Sequence, residues 1–321
     1  MQTRNLGNSD LQMTPIGFGT WAIGGGEGAC LWGPQDDNDS VAAIHRALDA
    51  GINWIDTAAV YGFGRSERVV GRTIKDRSDK PYIFTKCTLV GKEGDASVPR
   101  TYKYIRQEVE ESLRRLGVEA IDLYQCHWPI ADEAEMKEGW GVMADLQREG
   151  KVRWLGASNY NVEQLKLALA VTPITSLQSP YSLINRSIEA ELLPFCEANG
   201  IAVINYASMQ SGLLTGAMSP ERIADMAPQD WRRSNRNYRE PLLSRNLRLV
   251  ELLREIGRSH SRSPGEVAIA WTLRLKVIIG AIVGARSPGQ VEGWLGAAEF
   301  RLSPDELERI QSFLDANPTP A

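Results

Sequence analysis

Residues 121–129 read Ile121-Asp122-Leu123-Tyr124-Gln125-Cys126-His127-Trp128-Pro129. The first four form a short strand-like run, and the run delivers a histidine just past its end. Outward from this stretch the same unit recurs. Ile16-Gly17-Phe18 precedes Gly19, Asn53-Trp54-Ile55 precedes Asp56, and Tyr82-Ile83-Phe84 precedes Lys86. Further on, Arg153-Trp154-Leu155 precedes Asn159, Ile174-Thr175-Ser176-Leu177 precedes Gln178, Ala202-Val203-Ile204 precedes Tyr206, and Ile278 to Val283 precede Gly284. These runs make eight predicted strands.

The segments between them have helical periodicity. Val41, Ile44 and Leu48 recur at i, i+3 and i+7, and Gly51 stops the pattern. Ile105, Val109, Leu113 and Leu116 form a second stripe, ended by Gly117. Ser263-Pro264-Gly265-Glu266, Ser287-Pro288-Gly289-Gln290 and Ser303-Pro304-Asp305-Glu306 read as capping boxes. Pro194 predicts a kink or restart in its helix.

Strands alternating with helices allow a closed barrel or an open doubly wound sheet. An open dinucleotide-binding sheet would carry G-x-G-x-x-G at its first strand–helix turn and an acidic residue on the ribose strand. Gly24-Gly25-Gly26-Glu27-Gly28 is glycine-rich but has no such acidic partner, so it reads as a flexible loop. The count of eight favours an α/β fold of the (β/α)₈ TIM-barrel type, one domain over residues 1–321. Leu6 and Leu11-Gln12-Met13, around Gly7-Asn8-Ser9-Asp10, predict an N-terminal β-hairpin. Residues 207–243 predict a long polar loop after strand seven.

The net charge is −4, with no basic stripe, so nucleic acid is not expected as a partner. No apolar run reaches bilayer-spanning length, and Met1 to Asn5 have no signal-peptide core behind them. Cys30, Cys87, Cys126 and Cys196 are widely spaced, which predicts reduced thiols in a cytoplasmic protein. His45, His127 and His260 share no metal-ligand spacing, so no metal is expected.

Catalytic residues of such barrels sit at the C-terminal ends of strands. Asp56, Lys86 and His127 stand at three neighbouring ends, and Tyr61 lies five residues after Asp56. Singly, each has an ordinary explanation: a helix cap, a loop aromatic, a solvated charge, a core histidine. Jointly they fit carbonyl reduction. A nicotinamide cofactor supplies the hydride, since no side chain can. A tyrosine can protonate the developing alkoxide if a nearby lysine lowers its pKa from about 10. A buried lysine needs a carboxylate such as Asp56, and a histidine can orient the carbonyl oxygen.

The chain resembles the aldo-keto reductase superfamily over nearly its whole length. The resemblance is carried by Gly17-Phe18-Gly19-Thr20-Trp21, Asn53 to Ala58, Tyr61-Gly62 with Ser66-Glu67, Leu123 to Pro129, Gly150-Lys151-Val152-Arg153 and Gly156-Ala157-Ser158-Asn159. It implies Tyr61 as general acid/base, Lys86 and Asp56 as its tuning groups, and His127 as the residue that orients the carbonyl. It also implies a nicotinamide site of Gly19, Thr20, Trp21, Asp56, Ser158, Asn159, Gln178 and Tyr206. The stretch with Ala207, Met209, Ser211, Gly212 and Leu213 would line the pyrophosphate. Gly284, Arg286 and Gln290 would form the adenosine end, next to a helix N-terminus able to hold an anion.

Arg286 is placed to meet a 2′-phosphate, which favours NADP(H), with NAD(H) not excluded. Many members have lysine, arginine and asparagine where this chain has Gly284, Gln290 and Trp294. The Gly-Ala-Arg-x-Pro-Gly-Gln version resembles the branch of bacterial inositol-cluster-type reductases and potassium-channel β subunits.

Trp21, Tyr61, His127 and Trp128 are expected to contact a small carbonyl or alcohol substrate, with Trp32, Phe63 and Trp231 as further candidates at the mouth. Arg222, Arg232, Arg233, Arg236 and Arg239 in the long loop read first as a solvated face. Alternatives are a cofactor-binding regulatory protein with slow turnover, or a lyase or hydrolase barrel that uses the carboxylates without nicotinamide. Oligomeric state stays open.

Overall fold

Every predicted run forms a strand in the computed structural model, which describes residues 1–26, 32–89, 91 and 99–318. After the hairpin strands β1 (Arg4–Asn5) and β2 (Gln12–Met13) come β3 (Ile16–Gly19), β4 (Trp54–Asp56), β5 (Tyr82–Cys87) and β6 (Ile121–Cys126). Then follow β7 (Val152–Ser158), β8 (Ser176–Pro180), β9 (Ala202–Tyr206) and β10 (Ile278–Gly284). β3 to β10 are parallel and close on themselves, β10 pairing with both β9 and β3. The sequence left a choice between open sheet and barrel, and the β10–β3 ladder makes it a barrel.

Around it lie α1 (Asp37–Asp49), α2 (Arg65–Ile74), α3 (Ile105–Leu116), α4 (Glu133–Arg148), α5 (Val162–Leu169) and α6 (Leu192–Ala198). They are followed by α7 (Pro220–Ala224), α8 (Leu242–Arg258), α9 (Pro264–Thr272), α10 (Pro288–Glu292) and α11 (Pro304–Ala316). Gly51 and Gly117 end α1 and α3 in the left-handed region, as their positions predict. Pro194 falls in the first turn of α6, where a proline costs no hydrogen bond.

Strand alternation explains the interior. On β4 Trp54 and Asp56 share a face, on β5 Phe84 and Lys86, and on β6 Leu123 and Gln125. The lower members, Trp54, Phe84 and Leu123, join Ile204 and Ile279 in an apolar floor. The hairpin plugs that floor from below with Leu6, Leu11 and Met13, all fully buried. The Trp54 indole donates to the Thr14 carbonyl at 2.9 Å, and Arg4 Nη1 donates to the Ile278 carbonyl at 3.0 Å. The upper members, Asp56, Lys86 and Gln125, face the open end of the barrel.

Four expectations are corrected. Lys86 lies within β5, one residue before its end, because the strand continues through Thr85 to Cys87. Residues 207–243 are not an irregular loop. They hold α7 and three short 3₁₀ turns, Gln210–Thr215, Trp231–Ser234 and Arg236–Tyr238, around a core of Leu213, Met218, Tyr238 and Leu243. The boxes at Ser263 and Ser303 form, but the one at Ser287 does not. There Gln290 turns its side-chain oxygen to the Arg286 N–H at 2.8 Å. The helix that follows, α10, spans only five residues, so its N-terminus is a weaker anion site than the sequence suggested. Gly24 lies in a 3₁₀ turn, Ala22–Gly24, while Glu27, Gly28 and Cys30 fall outside the described residues. Cys87, Cys126 and Cys196 are buried free thiols. No helix among the described residues is long and apolar enough to cross a membrane.

Candidate active site

Lys86 Nζ is the hub of the barrel mouth. It donates to Asp56 Oδ1 at 2.5 Å, to the Thr57 carbonyl at 2.9 Å and to the Tyr61 hydroxyl at 3.3 Å. The alternation of β4 and β5 aims Asp56 and Lys86 inward. Tyr61 arrives from the turn after β4, which closes through Tyr61 N–H to the Ala58 carbonyl. His127 follows β6 and packs edge-on to Tyr61, with ring centroids 5.7 Å apart. The four residues that the sequence groups together thus meet at one point.

The charges there differ from the sequence expectation. Lys86 was expected to lower the Tyr61 pKa. Burial and the Asp56 charge instead push the Tyr61 hydroxyl well up. The physical reason is burial, which penalises the charged phenolate, and the Asp56 carboxylate, whose negative charge adds to it. Burial also pulls Lys86 down, against the opposing pull of Asp56. Burial, with Lys86 and Arg100 nearby, holds His127 well below its ordinary range, so its ring is neutral. The mouth therefore offers two neutral donors, a phenol and an imidazole.

Asp56 joins this cluster to a second one. Its Oδ2 accepts from Gln178 Nε2 at 2.9 Å and from Gln125 Nε2 at 3.2 Å. The carboxylate takes the Gln178 nitrogen, and the Gln178 oxygen has no donor among the described residues. Ser158 Oγ accepts from Asn159 Nδ2 at 3.0 Å, which leaves its O–H to donate. An acceptor and a donor side by side match the carboxamide of a nicotinamide, so these residues fit the expected cofactor. Asn159 itself is committed elsewhere. It donates to the His127 carbonyl at 3.0 Å and accepts from the Tyr206 hydroxyl at 2.7 Å, which fixes the Tyr206 ring.

Gly19, Thr20 and Trp21 leave β3 beside this site. Thr20 Oγ1 donates to the Asp56 carbonyl at 3.0 Å, and Ser66 Oγ donates to Thr20 Oγ1 at 2.7 Å. Gly19 pairs with Gly284, where an added Cβ would press on the Gly19 carbonyl at 3.1 Å. Ala207, Gln210, Ser211 and Gly212 all have positive φ, a turn that exposes backbone beyond β9. The Tyr238 hydroxyl pins it by donating to the Gln210 and Ser211 carbonyls at 2.8 and 3.0 Å. Gly212 has open space where a Cβ would stand, its nearest neighbour being Met218 Cε at 3.8 Å. Met209 packs against the outer core, and Leu213 turns its side chain into the loop's own core.

Trp21, Trp32 and Trp231 form one cluster over the mouth, with centroids 5.3 to 5.8 Å apart. The indole N–H groups of Trp32 and Trp231 are buried without a partner among the described residues. Trp128 stands apart, its ring under the Arg100 guanidinium at 4.6 Å. Phe63 sits in the turn after Tyr61 at positive φ. The loop arginines mostly serve the loop. Arg222, Arg233 and Arg239 donate to the Ala217, Met226 and Arg233 carbonyls, and Arg232 pairs with Asp230 at 2.6 Å while lying over Trp32.

Gln125 and Gln35 escaped the sequence reading. Gln125 was findable: it lies two residues before His127 and so shares the inward face. Gln35 gave no signal, being one polar residue in a loop.

The chain matches the aldo/keto reductase family over residues 15–315. It is 35% identical to the aldo-keto reductase YhdN of Bacillus subtilis, covering 98% of this chain and 94% of that one. It is 31% identical to an NADH-specific methylglyoxal reductase of Escherichia coli, covering 97% and 98%. Among solved structures, it superposes on the glycerol dehydrogenase AKR11B4 of Gluconobacter oxydans with a TM-score of 0.90 and 36% identity, covering 100% and 97%.

Proposed function

The chain belongs to the aldo/keto reductase family, and from that premise we propose that it reduces the carbonyl of a sugar or other small aldehyde or ketone, with NADPH as its preferred reductant. The observation that carries this is the Lys86 hub, which binds Asp56 and Tyr61 at once beside His127. When bound, the nicotinamide supplies hydride to the carbonyl carbon. Tyr61 gives its proton to the carbonyl oxygen as charge develops there. Neutral His127 donates a hydrogen bond to the same oxygen and holds it in place. Lys86 keeps Tyr61 aimed, and Asp56 keeps Lys86 charged despite burial.

On the cofactor side, the Ser158 hydroxyl and Gln178 oxygen hold the carboxamide, and Tyr206 supplies a stacking face that Asn159 orients. Gly19, Thr20 and Trp21 flank the ring, and the left-handed turn at Ala207, Ser211 and Gly212, with Met209 and Leu213, lies along the pyrophosphate. Arg286, presented by Gly284 and Gln290, meets the 2′-phosphate, the basis of the NADPH preference. Trp21 and Trp128, with Tyr61 and His127, receive the substrate. Residues 1–321 work as one domain, in the cytoplasm, on a small molecule.

The test is fluorescence titration with NADPH and NADH, then turnover of an aldehyde and sugar panel by the wild type and Tyr61→Phe. The expected loss in kcat for Tyr61→Phe is about 10²–10⁴-fold. Tight cofactor binding without turnover on any substrate would favour a regulatory role. Failure to bind either cofactor would overturn the site.

A further inference from the structure

Gln35 ties together two loops 251 residues apart in the chain. Its Oε1 accepts from Arg286 Nε at 2.6 Å, and its Nε2 donates to the Arg286 carbonyl at 2.9 Å. The amide cannot sit the other way round, because Nε2 also donates to Ser40 Oγ at 3.0 Å, whose own proton goes to the Asp36 carbonyl at 2.8 Å. The preceding Pro34 carbonyl accepts from Arg286 Nη2. The Gln35 carbonyl is in turn held by Arg65 Nη2, at the start of α2. The Nε and Nη2 edge of Arg286 is thereby fixed, and its Nη1 has no hydrogen-bond partner among the described residues.

Three guanidiniums surround this loop, and they differ in one respect. Arg65 is neutralised by Asp37 at 2.7 Å and Arg232 by Asp230 at 2.6 Å. Arg286 has no carboxylate among the described residues, and its fixed partner is a neutral amide. Glutamate has the same size and keeps an acceptor for Nε, but it would cancel the charge and lose the donor to the Arg286 carbonyl. A guanidinium locked in direction yet left unpaired is set up for an anion.

We propose that Gln35 is a specificity-determining residue for the phosphorylated cofactor, orienting Arg286 toward the 2′-phosphate while leaving its charge unspent. This rests on the reading of Arg286 as the 2′-phosphate contact. Gln35 is a positioning residue, since it acts through Arg286. A glutamate there turns the same geometry into repulsion, which is how a site discriminates between ligands that differ by one charged group.

The test is calorimetric titration of wild type, Gln35→Ala, Gln35→Glu and Arg286→Ala with NADPH, NADH and the fragments 2′,5′-ADP and 5′-ADP, with circular dichroism to check folding. Gln35→Glu is expected to move the NADPH to NADH ratio of Kd toward NADH by about tenfold or more, and Gln35→Ala by roughly three- to tenfold. The fragment pair should shift in parallel. A merely structural role would weaken both members of each pair alike and leave the ratios unmoved. If Arg286→Ala loses the preference while both Gln35 variants keep the wild-type ratio, this inference is overturned and the Arg286 reading stands. If Arg286→Ala also keeps the ratio, both fall. Should Gln35→Glu misfold, Gln35→Ala alone decides.

Discussion

Tyr61 holds its proton because it is buried beside a carboxylate, the one that Lys86 pairs. Reduction uses the protonated phenol, and its pKa is raised above the ordinary value of about 10. His127, held well below its ordinary value of about 6.5, stays neutral from there upward. The kcat for reduction should therefore run flat between about pH 6.5 and pH 10 in a pH–rate profile. An inflection near pH 8 would mean that Lys86 does lower the Tyr61 pKa, as the sequence suggested. The same pairing makes Lys86→Met destabilising by about 3–5 kcal/mol, since it strands the Asp56 charge with only two glutamine amides. Adding Asp56→Asn should recover part of that loss in urea unfolding. Strict additivity of the two changes would show that the pair is not coupled. The meeting of Asp56, Tyr61, Lys86 and His127 was legible because residues at neighbouring strand ends of a barrel converge on one rim. The Asn159–Tyr206 bond and the Gln35 clasp were not, because each joins residues whose closeness only the closed barrel creates.

Elements show the same division. Strand and helix positions could be read from periodicity, since apolar spacing is a local property. The cap at Ser287 could not, because the Gln290 side chain accepts from the Arg286 N–H instead. The link between α3 and the exit of β5 was also hidden. Both carboxylate oxygens of buried Glu108 lie within 3.2 Å of the Thr88 N–H, where Thr88 turns at positive φ. Burial pushes the Glu108 carboxyl up to about 7. A raised folded pKa means that its stabilising share is complete below the unfolded value of about 4.3 and lost as pH rises through about 7. Glu108→Gln is thus expected to match the wild type in denaturant unfolding near pH 4.5. At pH 8 it should exceed it, by at most about 4 kcal/mol. Equal stability at both pH values would show that the carboxylate is not strained there.

On the scale of the whole molecule, the floor of the barrel depends on a hairpin that belongs to none of its strands. Leu11→Ala, which empties a fully buried position against that floor, should cost about 2–5 kcal/mol in unfolding free energy. A cost under about 0.5 kcal/mol, the level of an ordinary surface change, would mean that the hairpin only rests on the barrel. The hairpin was legible as an element, but its destination was not: the floor draws one or two residues from each of several strands and leaves no contiguous pattern. The plug also sets a timetable for synthesis. Leu6, Leu11 and Met13 leave the ribosome long before Ile279 and the Ile278 carbonyl that complete their seat. At about 5–20 residues per second, the hairpin waits on the order of ten seconds to a minute with its leucines unsheltered. For that interval the nascent chain carries an unburied apolar ribbon.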